Sequence, residues 1–290
     1  MNFMGEAEGG RRTAIQRIGM KELRREAGRG PDEPLRQEDW EASWRQHGSR
    51  SNRLWRGFLR ALPSSPRCGI CGAPFSGFGS RLVGPLGFRP SRKNPNVCST
   101  CVELSPPGGM TMTTGVLFAD LRGFTARFDG GDPEDASKVL RRFYRCAEDV
   151  LFPEALIDKL IGDEVMALYL PNLPNDLGGD HVPSLMVEHA RALLRAVGYG
   201  SSSEPFVEMG IGLDFGEAFV GNIGQRALFD FTAVGDVVNT ASRLQGQALS
   251  GEIVLSDRVA KELPTSIGRR EELILKGIEE PQVAFRVTGV

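Results

Sequence analysis

An α+β fold is predicted by three features of the 290-residue chain. Its longer C-terminal part alternates apolar strand patterns with amphipathic helix patterns in the order β-α-β-β-α-β. Two of those strands are separated only by a Gly-Asp turn, in "LIGDEV". Ahead of them stand two Cys-x-x-Cys pairs, the pattern of a small separate unit. Hydrophobic residues make up 40% and charged residues 25%, ordinary values for a soluble globular protein.

Residues 1–34 are rich in Gly, Arg and Glu and poor in large apolar groups, so disorder is expected. Residues 35–62 read as an amphipathic helical segment. Trp40 and Trp44 are four apart, and Leu54, Trp55, Phe58, Leu59 and Leu62 follow helical spacing, with a break at Gly48-Ser49. Arginines surround this apolar face. Such a helix suits an anionic membrane surface, but packing on its own domain or on a dimer mate is favoured. Residues 63–104 hold the cysteines, and 105–113, with Pro-Pro-Gly-Gly, read as a linker.

The α+β region is expected to span 114–290. "TGVLFADL" is its first strand, and "DPEDASKVLRRFYRCAEDVLF" a helix with proline and acids at its start. "EALIDKLIGDEVMALYL" is a hairpin, "PSLMVEHARALLRAV" a second helix, and "FVEMGIGLDFGEAFVGNIG" two strands around Phe215-Gly216. "GDVVNTASRLQGQAL" is a third helix, and a strand, a short helix and two strands complete the domain. The order is ferredoxin-like.

Charge is uneven. Residues 1–110 hold 18 Lys+Arg against 10 Asp+Glu, leaving 17 and 27 of the totals 35 and 37, so +8 faces −10. The basic part reads as a solvated face, and no nucleic-acid partner is expected. No apolar run approaches the roughly 20 residues of a membrane span, no signal peptide is recognised, and the cysteine pattern fits a reducing compartment. The expected location is cytoplasmic.

Two constellations carry chemistry. Asp120 ends the first strand and Asp163 sits at the hairpin tip, next to it in this topology. Two hard carboxylates there form a site for Mg²⁺ or Mn²⁺. Asn239 and Arg243 are four apart, hence on one helix face, and an arginine stabilises charge in phosphoryl or nucleotidyl transfer. Asp158 and Glu164 have no assigned task and are expected to face solvent.

"FADLRGFT", "KLIGDEVMALY", "GIGLDFGEAFVGNIG", "DFTAVGDVVNTASRL" and "LKG" at 275–277, in this order, make the region resemble the catalytic domain of class III adenylyl/guanylyl cyclases of bacterial type. The resemblance implies that Asp120, Asp163 and the Leu121 carbonyl hold two metal ions. It implies that Gly123, Phe124 and Thr125 offer amides to the triphosphate, with Lys276 at the terminal phosphates. Lys159 and Thr232 would read the purine, Asn239 the ribose, and Arg243 the transition state at the α-phosphate. A lysine suits the ring-nitrogen acceptor of adenine, whereas a carboxylate would suit guanine. The implied activity is therefore adenylate cyclase, with ATP as substrate and cyclic AMP as product. A guanylate or dual-specificity cyclase is the alternative, since Thr232 stands where many members have Asp. A catalytically idle nucleotide-binding partner is a further alternative. The resemblance also implies a homodimer with two shared sites.

Cys68, Cys71, Cys98 and Cys101 form the two Cys-x-x-Cys pairs and can present four thiolates to one structural Zn²⁺. Zinc is favoured over an iron–sulfur cluster and over a redox disulfide. Cys146 reads as a core residue of its helix.

Overall fold

A computed structural model describes residues 13–31, 33–47, 50–63, 66–91, 97–103, 105–152, 154–170, 181–225 and 228–288. Helices α1 (Ala14–Glu26), α2 (Trp40–His47), α3 (Arg50–Ala61), α4 (Gly77–Val83) and α5 (Ser99–Glu103) come first. Strand β1 (Gly108–Leu121), helices α6 (Phe124–Phe128) and α7 (Pro133–Leu151), and strands β2 (Leu156–Ile161) and β3 (Glu164–Tyr169) follow. Then come α8 (Val182–Val197), β4 (Met209–Gln225), β5 (Leu228–Val234), α9 (Asp236–Gln247), β6 (Glu252–Ser256), α10 (Asp257–Lys261), β7 (Arg269–Leu273) and β8 (Gln282–Thr288). Among the described residues no helix is long and apolar enough to cross a membrane.

The chain folds as two compact units. One comprises Met1–Thr111, Asn172–Pro174 and Phe219–Ala233; the other comprises Met112–Pro171, Asn175–Ala218 and Val234–Val290. A cut at 113/114 therefore does not separate them. β1 starts at Gly108, so most of the expected linker is strand. The two expected strands around Phe215-Gly216 are one continuous strand, β4.

The first unit takes in the β4–β5 hairpin because that hairpin packs on its N-terminal elements. Trp40 is buried, its Nε1–H donates to the Pro107 carbonyl at 3.1 Å, and its ring lies 6.3 Å from that of Phe231. Asn222 Nδ2 donates to the Pro106 carbonyl at 3.2 Å. A Cβ on Gly109 would lie 2.3 Å from the Val220 carbonyl oxygen, so only glycine permits this approach.

The disorder expected for 1–34 is corrected over the described residues by α1. Its capping box joins Thr13 and Gln16, and Thr13 Oγ1 donates to the Leu86 carbonyl at 2.7 Å. Few apolar residues were visible here, but Met20 and Leu23 are buried and polar contacts complete the anchoring. The Gly48-Ser49 break lies outside the described residues. Of the apolar stripe expected on the second basic helix, Leu59 is buried in α3, whereas Leu54, Trp55 and Phe58 are exposed.

The sheet order is β2-β3-β1-β4-β6-β8-β7, with β5 paired to β4. Its first four strands carry the ferredoxin-like order, joined through α7 and α8. Asp132 caps α7, accepting from the Glu134 amide at 2.9 Å, and Pro133 occupies the first turn, where no amide partner is needed. Phe143, Ala147 and Leu151, one turn apart, bury its inner face.

Alternation assigns the two faces of the sheet. Leu117, Ala119 and Leu121 of β1, Val165, Ala167 and Tyr169 of β3, and Ile211 and Leu213 of β4 share one core with α7 and α8. Val254, between Ile253 and Leu255, belongs instead to the α9 cluster with Leu244, Ala248, Leu275 and Ala284. Helix α9 therefore covers the opposite face, where Asp120 also stands. It sits close because Gly212 has no side chain: a Cβ there would be 2.2 Å from the Ala241 carbonyl oxygen and the Gln245 amide nitrogen. Gly212→Ala is expected to destabilise the protein by about 1–3 kcal/mol in urea unfolding, as overpacking against backbone does.

Candidate active site

The register of the sheet brings the two aspartates together. Asp120 of β1 pairs with Glu164 of β3, and the Leu121 amide donates to the Asp163 carbonyl at 3.2 Å. Asp163 follows Gly162, whose φ of +62° makes the hairpin turn. Tyr144 Oη donates to the Gly162 carbonyl and fixes the turn from α7. Burial pushes the Asp120 carboxyl above its ordinary value, the charge of Asp163 adds to this, and Arg122 opposes it. Glu164 is likewise raised by burial first, then by Asp120 and Asp163. Adjacent carboxylates that hinder one another's ionisation are a donor set a hard divalent cation satisfies.

Glu164 was not expected here. It is half-buried and stands directly opposite Asp120, so it does not simply face solvent. Arg122 is a second addition. Its Nη1 lies 3.4 Å from Asp120 Oδ2, and its Nη2 donates to the Gln245 carbonyl near the end of α9. A cation suits that helix end. The available signal was adjacency: Arg122 lies inside "DLRGFT" and Glu164 directly after Asp163.

Gly123, in the left-handed region at φ +67°, turns the chain from β1 into α6 and precedes Phe124 and Thr125. Asn239 and Arg243 lie on α9, Asn239 exposed and Arg243 half-buried. Arg243 Nη2 stands 3.5 Å from where a Cβ of Gly277 would be, which brings Arg243 beside the Lys276-Gly277 turn. Lys276 is exposed.

Lys159 depends on an irregularity. Ile157 pairs with Ala167, but Lys159, not Asp158, pairs with Met166. Asp158 is the extra residue of a β-bulge, and it is buried, 4% exposed, contrary to expectation. In an unbroken strand Lys159 would share the core face with Ile157; the bulge turns it to the face of Met166 and α9. Thr232 belongs to the other unit, on β5, where it is buried at 5% exposure.

A second centre lies in the first unit. The four sulfurs of Cys68, Cys71, Cys98 and Cys101 all lie within 4.8 Å of one another, and all four residues are buried. Cys68 and Cys101 sulfurs are 3.9 Å apart and those of Cys71 and Cys98 3.7 Å. These separations are far longer than a disulfide bond. They equal the edge of a tetrahedron with bonds of about 2.3 Å, roughly 3.8 Å, the bond length of zinc to thiolate. The site is thus sized for one ion. Backbone amides surround the sulfurs: Cys98 N–H donates to Cys68 Sγ at 3.2 Å and Cys101 N–H to Cys98 Sγ at 3.4 Å. Gly72, at φ +74°, closes the first knuckle with its amide on the Cys68 carbonyl at 2.8 Å. Burial pushes the Cys98 thiol up, and the Cys68 sulfur raises both Cys98 and Cys101. Cys146 is apart from them, half-buried on α7.

Residues 110–289 match the family described as the adenylate and guanylate cyclase catalytic domain. An adenylate cyclase of Anabaena cylindrica is 29% identical over 199 residues, covering 64% of this chain and 38% of that protein. An uncharacterised protein of Mycobacterium tuberculosis (strain ATCC 25618 / H37Rv) is 30% identical over 198 residues, covering 65% of this chain and 35% of its own length. The chain thus spans well under half of these curated relatives. Among solved structures, the guanylyl cyclase Cya2 superposes with a TM-score of 0.53 at 29% identity, covering 63% of this chain and 95% of that one. The adenylyl cyclase CyaB from P. aeruginosa gives 0.54 at 26% identity, with 62% and 96% covered.

Proposed function

Since the chain belongs to the adenylate and guanylate cyclase catalytic-domain family, we propose that it converts ATP to 3′,5′-cyclic AMP and pyrophosphate in sites shared by two copies of itself. The observation that carries this reading is the register that pairs Asp120 with Glu164 and, through the Leu121 amide on the Asp163 carbonyl, sets the turn bearing Asp163 beside the end of β1. Asp120, Asp163 and the Leu121 carbonyl would hold two Mg²⁺ or Mn²⁺ ions. Bound there, the ions acidify the ribose 3′-hydroxyl and neutralise charge on the triphosphate.

The protein's own groups do the rest. Amides of Gly123, Phe124 and Thr125 hold the phosphates, and Lys276 adds a cation at their far end. Asn239 orients the ribose. The 3′-oxygen bonds to the α-phosphorus, the bond to pyrophosphate breaks, and the hydroxyl proton passes to solvent. Arg243 stabilises the charge that grows on the α-phosphate. The aspartates come from one copy and Lys159, Thr232, Asn239 and Arg243 from the other. Exposed Leu160, Ile161 and Ile274 supply apolar surface for that contact.

Lys159 can only donate, which suits the ring-nitrogen acceptor of adenine. Thr232 accepts from the amino group once the purine reaches it. A hydroxyl discriminates less firmly than a carboxylate, and the similarity to a guanylyl cyclase keeps GTP in view as the alternative substrate. The assay is purified full chain with Mn²⁺ or Mg²⁺ and ATP or GTP, reading cyclic products. The wild type is expected to favour ATP. Lys159→Glu should lower the ATP:GTP ratio of kcat/KM about tenfold. No cyclic product from either nucleotide would overturn the activity, and an unchanged ratio would overturn the role of Lys159.

The four buried thiolates hold one structural Zn²⁺ in this reading, separate from the catalytic metals. The tetrahedral sulfur spacing supports it. A larger iron–sulfur cluster would hold its thiolates on different irons and spread them further apart.

A further inference from the structure

Helix α9 begins at Asp236, and Asn239, Thr240 and Arg243 follow at helical spacing along the same stripe. The start of that stripe is gripped from outside. Arg258, in α10, donates through Nη2 to Asp236 Oδ2 at 3.0 Å. The same guanidinium donates through Nε to Asp214 Oδ1 at 3.0 Å, and through Nη2 to Asp214 Oδ2. Asp214 belongs to β4 and is wholly buried, 0% exposed. Ser256 Oγ donates to it at 2.5 Å and the Phe215 amide at 2.8 Å.

Ser256 serves twice, since its side chain also accepts from the Val259 amide at 3.2 Å and caps α10. One arginine thus ties a buried carboxylate of the sheet to a carboxylate on the first turn of α9. Thr240 Oγ1 donates to Asp236 Oδ1 at 3.5 Å, linking the contact to the next turn. The arrangement is directional. Asp214 is anchored by the sheet and by three donor groups, whereas Asp236 is exposed, with Arg258 joining it to that anchor. A buried carboxylate needs such a partner, because removal of the cation leaves a charge without compensation. Burial raises Asp214, and the Arg258 hydrogen bonds oppose it.

We infer that Arg258 is a positioning residue for the reaction: it docks the start of α9 on buried Asp214 and thereby sets the approach of Asn239 and Arg243 to the nucleotide. The consequence for catalysis rests on the cyclase reading of Asn239 and Arg243; the tether itself does not. Loss of Arg258 should free the first turn of α9 without touching the Asp120–Asp163 pair or Lys159. The defect should then appear where Asn239 and Arg243 act, in orientation of the ribose and in the chemical step at the α-phosphate.

The test uses the full chain with Arg258→Gln, Arg258→Lys, Asp236→Asn and the Arg258→Gln/Asp236→Asn double variant. Amide hydrogen exchange along α9 is measured with kcat and KM for ATP and 2′-deoxy-ATP. Arg258→Gln should speed exchange at the start of α9 about tenfold or more. It should lower kcat for ATP about tenfold, change KM less, and shrink the preference for ATP over 2′-deoxy-ATP. Lysine should recover part of the loss, and the double variant should be no worse than the worse single one. Unchanged exchange in α9, or losses that multiply in the double variant, would overturn the tether. A KM loss as large as the kcat loss, with no recovery by lysine, would reduce it to general stability and overturn the positioning role. If Arg258→Gln does not fold, Asp236→Asn leaves the Arg258–Asp214 pair intact and decides by the same readouts. If the wild type makes no cyclic product, the cyclase reading fails, and the exchange data still decide the tether.

Discussion

Asp120→Ala is expected to lower kcat for cyclic-nucleotide formation by at least about a hundredfold, while the protein keeps its fold. The side chain is only half-buried and belongs to neither hydrophobic core. Its removal also relieves repulsion from Asp163 and Glu164, so the melting temperature should hold or rise. Arg243→Ala should be comparably inactive, because a cation at the α-phosphate acts only as the charge develops. The proposed sharing of each site between two copies has a sharper test. An equal mixture of Asp120→Ala and Arg243→Ala chains, refolded or coexpressed, should regain about a quarter of wild-type activity. Half of the dimers are mixed, and each mixed dimer has one intact site out of two. No recovery would place all the groups of a site in one chain and overturn the head-to-tail dimer. Activity of Asp120→Ala equal to wild type would overturn the metal role of this residue.

The second large effect is on the first unit. Cys98→Ser should reduce bound zinc from one per chain to well below one and melt the unit around it. Structural zinc supplies on the order of 10 kcal/mol to small thiolate sites, comparable with the whole stability of many domains. Cys98 also takes part in the fold directly, since it pairs with Pro90 and receives the Cys101 amide. Trp40 reports the change, because it is buried in this unit against Phe231. Elemental analysis and near-ultraviolet circular dichroism are the readouts. Iron in place of zinc would change the metal assigned here. A full complement of zinc in Cys98→Ser would show that the cysteine is not a ligand.

Local signals made much of this protein legible. Helices α7, α8 and α9 follow from apolar residues at helical spacing with acids, proline or glycine at their ends, and these are short-range features. The β-α-β-β-α-β order follows from the same pattern, and the order determines that the strand carrying Asp120 lies beside the hairpin whose turn carries Asp163. The four cysteines announce themselves by spacing, because two Cys-x-x-Cys turns are the pattern of a four-thiolate metal site. Helix α1 escaped because its anchoring is long-range. Thr13 reaches Leu86 and Gln16 reaches Thr100, and composition cannot show such partners.

By itself, then, the sequence determined the fold class, the family and the positions of the aspartates, Asn239, Arg243 and the cysteines. Each of these depends on residue type and local spacing. Only the tertiary structure decided which way Lys159 points, since one extra residue at Asp158 reverses the face of everything after it in β2. It also decided that Glu164 and Arg122 join the aspartates, that the β4–β5 hairpin belongs with the N-terminal unit, and that Arg258 ties α9 to Asp214. These results depend on strand register and on contacts between residues far apart in the chain. Such contacts come into being only when the sheet is assembled, and no local preference of the residues specifies them.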